Sequence, residues 1–115
     1  TYQLHYLYTT ETTMSWEVNI GEFNKNITFN FNPLFTMMMP LGLTQLHGCT
    51  AEEAATIIWH GFRAWTHDGS FDVARMELLI NVRGTNTIDQ GLDVLRELWQ
   101  ACTEANPSEI VQVFG

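Results

Sequence analysis

Apolar and polar positions alternate with a period of two in three stretches of the N-terminal third. Tyr2, Leu4, Tyr6 and Tyr8 share one face of YQLHYLY; Trp16, Val18 and Ile20 share one face of SWEVNI. In NITFNFN, Ile27, Phe29 and Phe31 point one way while Thr28, Asn30 and Asn32 form an outward polar row. Successive strand side chains point to opposite faces, so this pattern predicts half-buried antiparallel strands. The Thr/Glu cluster between the first two reads as a hairpin connection. GEFNKN reads as turn chemistry, because Gly and Asn tolerate unusual backbone angles.

Beyond Asn32 the period changes. Asn32-Pro33 predicts a helix start, an Asn cap followed by Pro at the first position, and Pro40 and Gly42 stop the short helix PLFTMMM. TAEE is a capping box from Thr50 to Glu53. At 100° per residue, Ala51, Ala54, Ile58, Gly61, Phe62 and Trp65 then fall on one stripe. Glu52, Glu53, Thr56, His60, Arg63 and His67 face the other way, and Asp68-Gly69 closes the element. TIDQ is a second capping box, from Thr87 to Gln90. The helix from Ile88 to Glu104 sets Ile88, Gly91, Leu92, Leu95, Leu98, Trp99 and Cys102 on one stripe, and EIVQVF follows as a strand. Met76, Leu78, Ile80 and Val82 alternate with Glu77, Leu79, Asn81 and Arg83, which favours a strand over 76–83, although the composition also allows a helix.

Together these elements predict an α+β fold, a two-layer domain with an antiparallel sheet and two main amphipathic helices packed on one face. At 115 residues the chain reads as a single domain over 1–115. It opens on Thr1, and Met14 in TTMSWEV offers an internal start, so residues 1–13 read as an upstream extension or foreign sequence.

Charge narrows the functions. The net charge is -8, and Lys25 is the single lysine. Duplex DNA carries about one negative charge per 1.7 Å, so nucleic acid is an unfavourable partner, and anionic membrane surfaces are disfavoured alike. No apolar run approaches the ~20 residues of a membrane span. Basic protein surfaces, neutral small molecules and copies of the chain itself remain. The two cysteines, Cys49 and Cys102, lie too far apart for zinc-ligand spacing, and such sparse thiols suit a reducing compartment.

The densest polar chemistry lies in WHGFRAWTHDGS. His60 and His67 are seven residues apart, about 10 Å along a helix, too far to share a metal that needs both nitrogens at roughly 2 Å. The sequence therefore implies no metal and no cofactor. His67-Asp68 lacks a nucleophile at a recognisable position. Cys49 directly precedes a helix cap, where the dipole lowers a thiol pKa, and His47 stands two residues away, so this pair is the candidate reactive thiol and base. The polar loop RGTNT, with Arg83 and Asn86, feeds a helix N-terminus. Trp59 sits on the border between stripe and solvent beside Arg63, a residue pair enriched where proteins bind one another. The ligand- or partner-binding candidates are thus Trp59, Arg63, His60, His67, Thr28, Asn30, Arg83 and Asn86.

The stretches NITFN, GLTQL, TAEEAATII, LRELWQACTEANP and IVQVF occur in an order that resembles a group of small acidic α+β proteins. That group is found in bacteriophages, notably those of actinobacteria, and in their hosts. The relatives tend to carry histidine where this chain has Phe29, and a Gly-Trp-Gly loop where it has RGTNT. The resemblance implies a phage or bacterial cytoplasmic setting and carries over no activity. The expected function is a small acidic non-enzymatic binding protein that contacts a host protein or sequesters a small molecule, as anti-defence proteins do. The rival expectation is an assembly protein forming a homo-oligomer, and the third a thiol enzyme using Cys49 and His47.

Overall fold

A computed structural model describes residues 15–67, 73–80 and 86–115. The expected strand YQLHYLY and its hairpin connection lie outside the described residues. Strand β1 (Ser15–Ile20) pairs antiparallel with β2 (Phe23–Thr28) and with β3 (Val111–Phe114), giving the order β2-β1-β3. Gly21 opens the β1–β2 hairpin at φ 60°, and Ile20 pairs with Phe23 across a two-residue loop. A glycine with positive φ at the first loop position is the pattern of a type II′ turn, whose twist matches that of the strands. The turn is shorter than GEFNKN suggests. Only Gly21 and Glu22 turn, and Phe23 onward is strand.

Trp16, Val18, Ile20, Ile27, Val111 and Val113 put one face of the sheet into the core, leaving Glu17, Asn24, Asn26, Gln112 and Phe114 exposed. Among the described residues four α-helices complete the fold: α1 (Asn32–Met38), α2 (Ala51–His67), α3 (Val73–Ile80) and α4 (Ile88–Glu104). Sheet and helices share one apolar cluster, with Phe35 of α1 against Trp16 of β1 at a ring-centroid separation of 5.9 Å. The α+β class follows directly from this arrangement.

Both capping boxes form. Thr50 Oγ1 accepts the Glu53 N–H while Glu53 Oε1 accepts the Thr50 N–H. Thr87 and Gln90 make the same reciprocal pair at the start of α4. Each box satisfies two backbone donors that a helix start otherwise leaves bare. The buried stripes of α2 and α4 are those expected, with Phe62, Trp65 and Trp99 at their borders.

Three expectations are corrected. The segment expected as a strand is helix α3 as far as Ile80, and Asn81, Val82 and Arg83 lie outside the described residues. Met76 and Ile80, four apart, are buried, whereas Leu78 and Leu79 are 77% and 47% exposed. One apolar face at helical spacing outweighs the alternation of the letters. Second, β2 stops at Thr28, and Phe29–Phe31 is a 3-10 turn into α1, so Thr28, Asn30 and Asn32 do not form a row on a strand. The Thr28 hydroxyl instead accepts the Asn30 N–H and caps that turn. Third, Asn32 is already helical and Phe31 occupies the cap position, without a side-chain cap.

Candidate functional site

The α2 and α4 helices lie side by side and run in opposite directions. One crevice joins Glu52 and Ala55 to Cys102 and Ala105, and another joins Phe62 to Arg96. The second opens into a groove of about 380 Å³ lined by Trp59, Phe62, Arg96, Trp99 and Gln100. Trp59 and Trp99 are its walls. Their ring centroids are 6.2 Å apart with planes 35° from parallel. They remain 52% and 36% exposed, an unusual cost for two indoles, since each ring buries large apolar area once covered.

The polar groups at the groove are held in place. Arg96 Cζ lies 6.0 Å from the Phe62 ring centroid, a cation–π distance, and the guanidinium donates to Asp93 Oδ1 one turn away. Gln100 donates to Glu104 Oε1 at 3.0 Å. On the far side of α4, Glu97 pairs with Lys25 of β2 at 3.0 Å, tying the helix to the sheet. The groove thus presents two open indoles and a guanidinium held by a ring and a carboxylate. Such an arrangement can cover an apolar ring while offering N–H donors at the rim. Among the described residues that line it there is no nucleophile.

Of the candidates read from sequence, Trp59 lies in this groove, and His60 and Arg63 are exposed on the same helix. Phe62, Arg96, Trp99 and Gln100 were missed. Trp99 carried a legible signal: it stands at the rim of its stripe, with Arg96 three residues before it. Which helix faced Trp59 was not written in either segment alone.

Asn30 and Asn86 are brought together, the Asn30 amide donating to Asn86 Oδ1 at 2.8 Å. Both are half-buried, and the bond ties the turn before α1 to the residue preceding the Thr87 cap. Thr28 is used in its local cap. Arg83 lies outside the described residues, as does the side chain of His67, which ends α2. Among the described residues no group of three His, Cys, Asp or Glu side chains is placed to hold a metal ion. No described helix is long and apolar enough to cross a membrane.

Cys49 and His47 are held by different partners. Cys49 Sγ donates to the Gln45 carbonyl at 3.4 Å, whereas His47 Nδ1 accepts the Val113 N–H at 3.0 Å. The expected lowering of the Cys49 pKa is reversed. Burial pushes this thiol up, and the carboxylate of Glu53 adds to the shift. The first N–H groups of α2 are also consumed, Ala51 N–H by the Glu109 carbonyl, Glu52 N–H by the Pro107 carbonyl and Glu53 N–H by Thr50. Little of the helix dipole's positive end is left to stabilise a thiolate. Cys102, on the apolar stripe of α4, is pushed by burial up to about 11. Glu53 is held below the usual carboxylate range by the Thr50 backbone and hydroxyl bonds.

No family model, curated protein or solved structure matches this chain.

Proposed function

We propose that this chain is a small acidic non-enzymatic binding protein that contacts another protein through the groove between α2 and α4. The observation that carries the reading is the exposed Trp59–Trp99 pair with Arg96 alongside. Trp and Arg are enriched among the few residues that carry most of the energy of protein contacts. A protein is favoured over a small molecule because the groove is open at the surface, with Trp59 and Trp99 52% and 36% exposed. A ligand enclosed on most sides would need a deeper pocket. The sequence resemblance supports a phage or bacterial cytoplasmic setting, and a host protein is the target we propose.

The test is affinity capture from lysate of the native host cells, with the wild-type chain and a W59A/W99A variant side by side. Both indoles are surface-exposed, so the variant retains its helical circular dichroism. The reading expects proteins recovered by the wild type to be lost with the variant. Equal recovery by both chains would overturn it.

A further inference from the structure

The two edges of the sheet are finished differently. On β3 the outward groups of Val111 and Val113 are met by Gly48, Cys49 and His47. On β2 the two-residue loop makes Ile20 and Phe23 a hydrogen-bonded pair, and alternation along the ladder makes Val18–Lys25 and Trp16–Ile27 the same. The N–H and C=O groups of Asn24 and Asn26 therefore point away from β1. Among the described residues no backbone group pairs with them, and β2 is the outer strand on that side. Lys25 is the one charged residue of β2, and its Nζ is drawn onto Glu97 of α4 at 3.0 Å. The edge thus lacks the charge that commonly guards an open strand.

We propose that residues 2–8 of this same chain, YQLHYLY, which lie outside the described residues, occupy the β2 edge as a fourth strand parallel to β2. Residues 1–14 lead into Ser15, which stands opposite Thr28 at the end of β2. They cannot pair with β1 itself, because β1 already has β2 on one side and β3 on the other. The β2 edge position is about 10 Å from β1, two strand spacings, and the six residues 9–14 reach at most about 20 Å. A course alongside β2 in its own direction brings Tyr8 to the Thr28 end, within easy reach of Ser15. The opposite course puts Tyr8 beside Phe23, about 20 Å from Ser15, and draws the same six residues taut.

The composition of the segment fits this place. It holds no Gly or Pro, and its aromatic residues favour a pleated, half-buried surface. Tyr2, Leu4, Tyr6 and Tyr8, at every second position, continue the inner face of Phe23, Lys25 and Ile27, of which Ile27 is buried and the other two half-buried. Residues 1–10 carry no Asp, Glu, Lys or Arg, whereas a second copy brings a net charge of -8 to an equally charged chain. A six-residue tether also holds the segment at an effective concentration of about millimolar, which favours it over a free copy. The proposal stands apart from the reading of the groove between α2 and α4.

Backbone amide hydrogen exchange of the full chain, read residue by residue by nuclear magnetic resonance, tests this. The Asn24 and Asn26 N–H groups are expected to exchange about tenfold or more slowly than open amides. In the variant L4P/Y6P both return to the open rate, because proline removes ladder donors. The Lys25 N–H, bonded to β1, stays slow in that variant and reports an intact sheet. Open-rate exchange at Asn24 and Asn26 in the wild type, or slow exchange that survives L4P/Y6P, overturns the proposal. Slow exchange that grows with protein concentration assigns the edge to a second copy and overturns it as well. Cross-relaxation in the wild type between the backbone of 24–26 and that of 2–8 gives the answer without a variant, and its absence overturns the proposal.

Discussion

Nδ1 of His47 accepts the backbone N–H of Val113 at 3.0 Å, so a side chain finishes the outer edge of β3. The neighbouring positions of that edge are closed by backbone: Gly48 N–H donates to the Val111 carbonyl and Val111 N–H to the Cys49 carbonyl. An unpaired strand edge is a template for another chain, and here the Val111 N–H and carbonyl and the Val113 N–H are all occupied. Accepting at Nδ1 places the imidazole proton on Nε2, while the ring meets Phe114 edge-on at 5.7 Å.

His47→Ala therefore leaves the Val113 N–H without its acceptor. The expected loss is about 1–2 kcal/mol of stability, measured by urea unfolding, with a greater tendency to aggregate as the edge opens. A change within a few tenths of a kcal/mol would show that water replaces the imidazole at no cost.

Gly91 marks where α4 meets α1. A Cβ placed there would lie 2.7 Å from Leu34 Cδ2 and 3.0 Å from Phe31 Cδ1. In an exposed helix interior Gly→Ala stabilises, because alanine has the better helix propensity. Here overpacking wins, and Gly91→Ala is expected to lower stability by about 1–3 kcal/mol in thermal or denaturant unfolding. A more stable variant would mean that the α1–α4 contact is loose.

The two thiols give a pH prediction with a definite sign. The Cys102 thiol is raised from its ordinary 9.0 to about 11 in the folded chain, so between those values the unfolded chain ionises and the folded chain does not. The unfolded state then binds fewer protons, and stability falls as pH rises through this window, by on the order of 2–3 kcal/mol in full. Below about pH 9 the contribution is fully present. Urea unfolding of wild type and Cys102→Ala from pH 8 to 11 checks this, because the variant lacks that part of the slope. Cys49, also raised, reacts with a thiol reagent at neutral pH more slowly than free cysteine. A Cys49 faster than free cysteine would raise the thiol-enzyme reading above its third place.

The parts of this fold that were legible in the sequence are those fixed by local chemistry. TAEE and TIDQ encode both helix starts within four residues each, and the stripes of α2 and α4 repeat long enough to leave one reading. Met76 to Ile80 was not legible, because a five-residue stretch with four apolar positions fits either period until a neighbouring surface selects Met76 and Ile80. Thr28 and Asn30 alternate like strand residues, but the Thr28 hydroxyl bonds to the Asn30 N–H and turns the chain. The groove was half legible. Trp59 and Arg63 announced an edge, whereas the pairing of Trp59 with Trp99 arises from the antiparallel docking of helices about forty positions apart.

The central claim is that the Trp59–Trp99 groove meets another protein. Its most direct measurement is photo-crosslinking in the native cells, with a benzoylphenylalanine placed at Trp59 and, as a control, at exposed Asn26 on the outer face of the sheet. The account expects discrete protein adducts from position 59 and none of the same adducts from position 26. Identical adducts from both positions, or none from position 59, would contradict it.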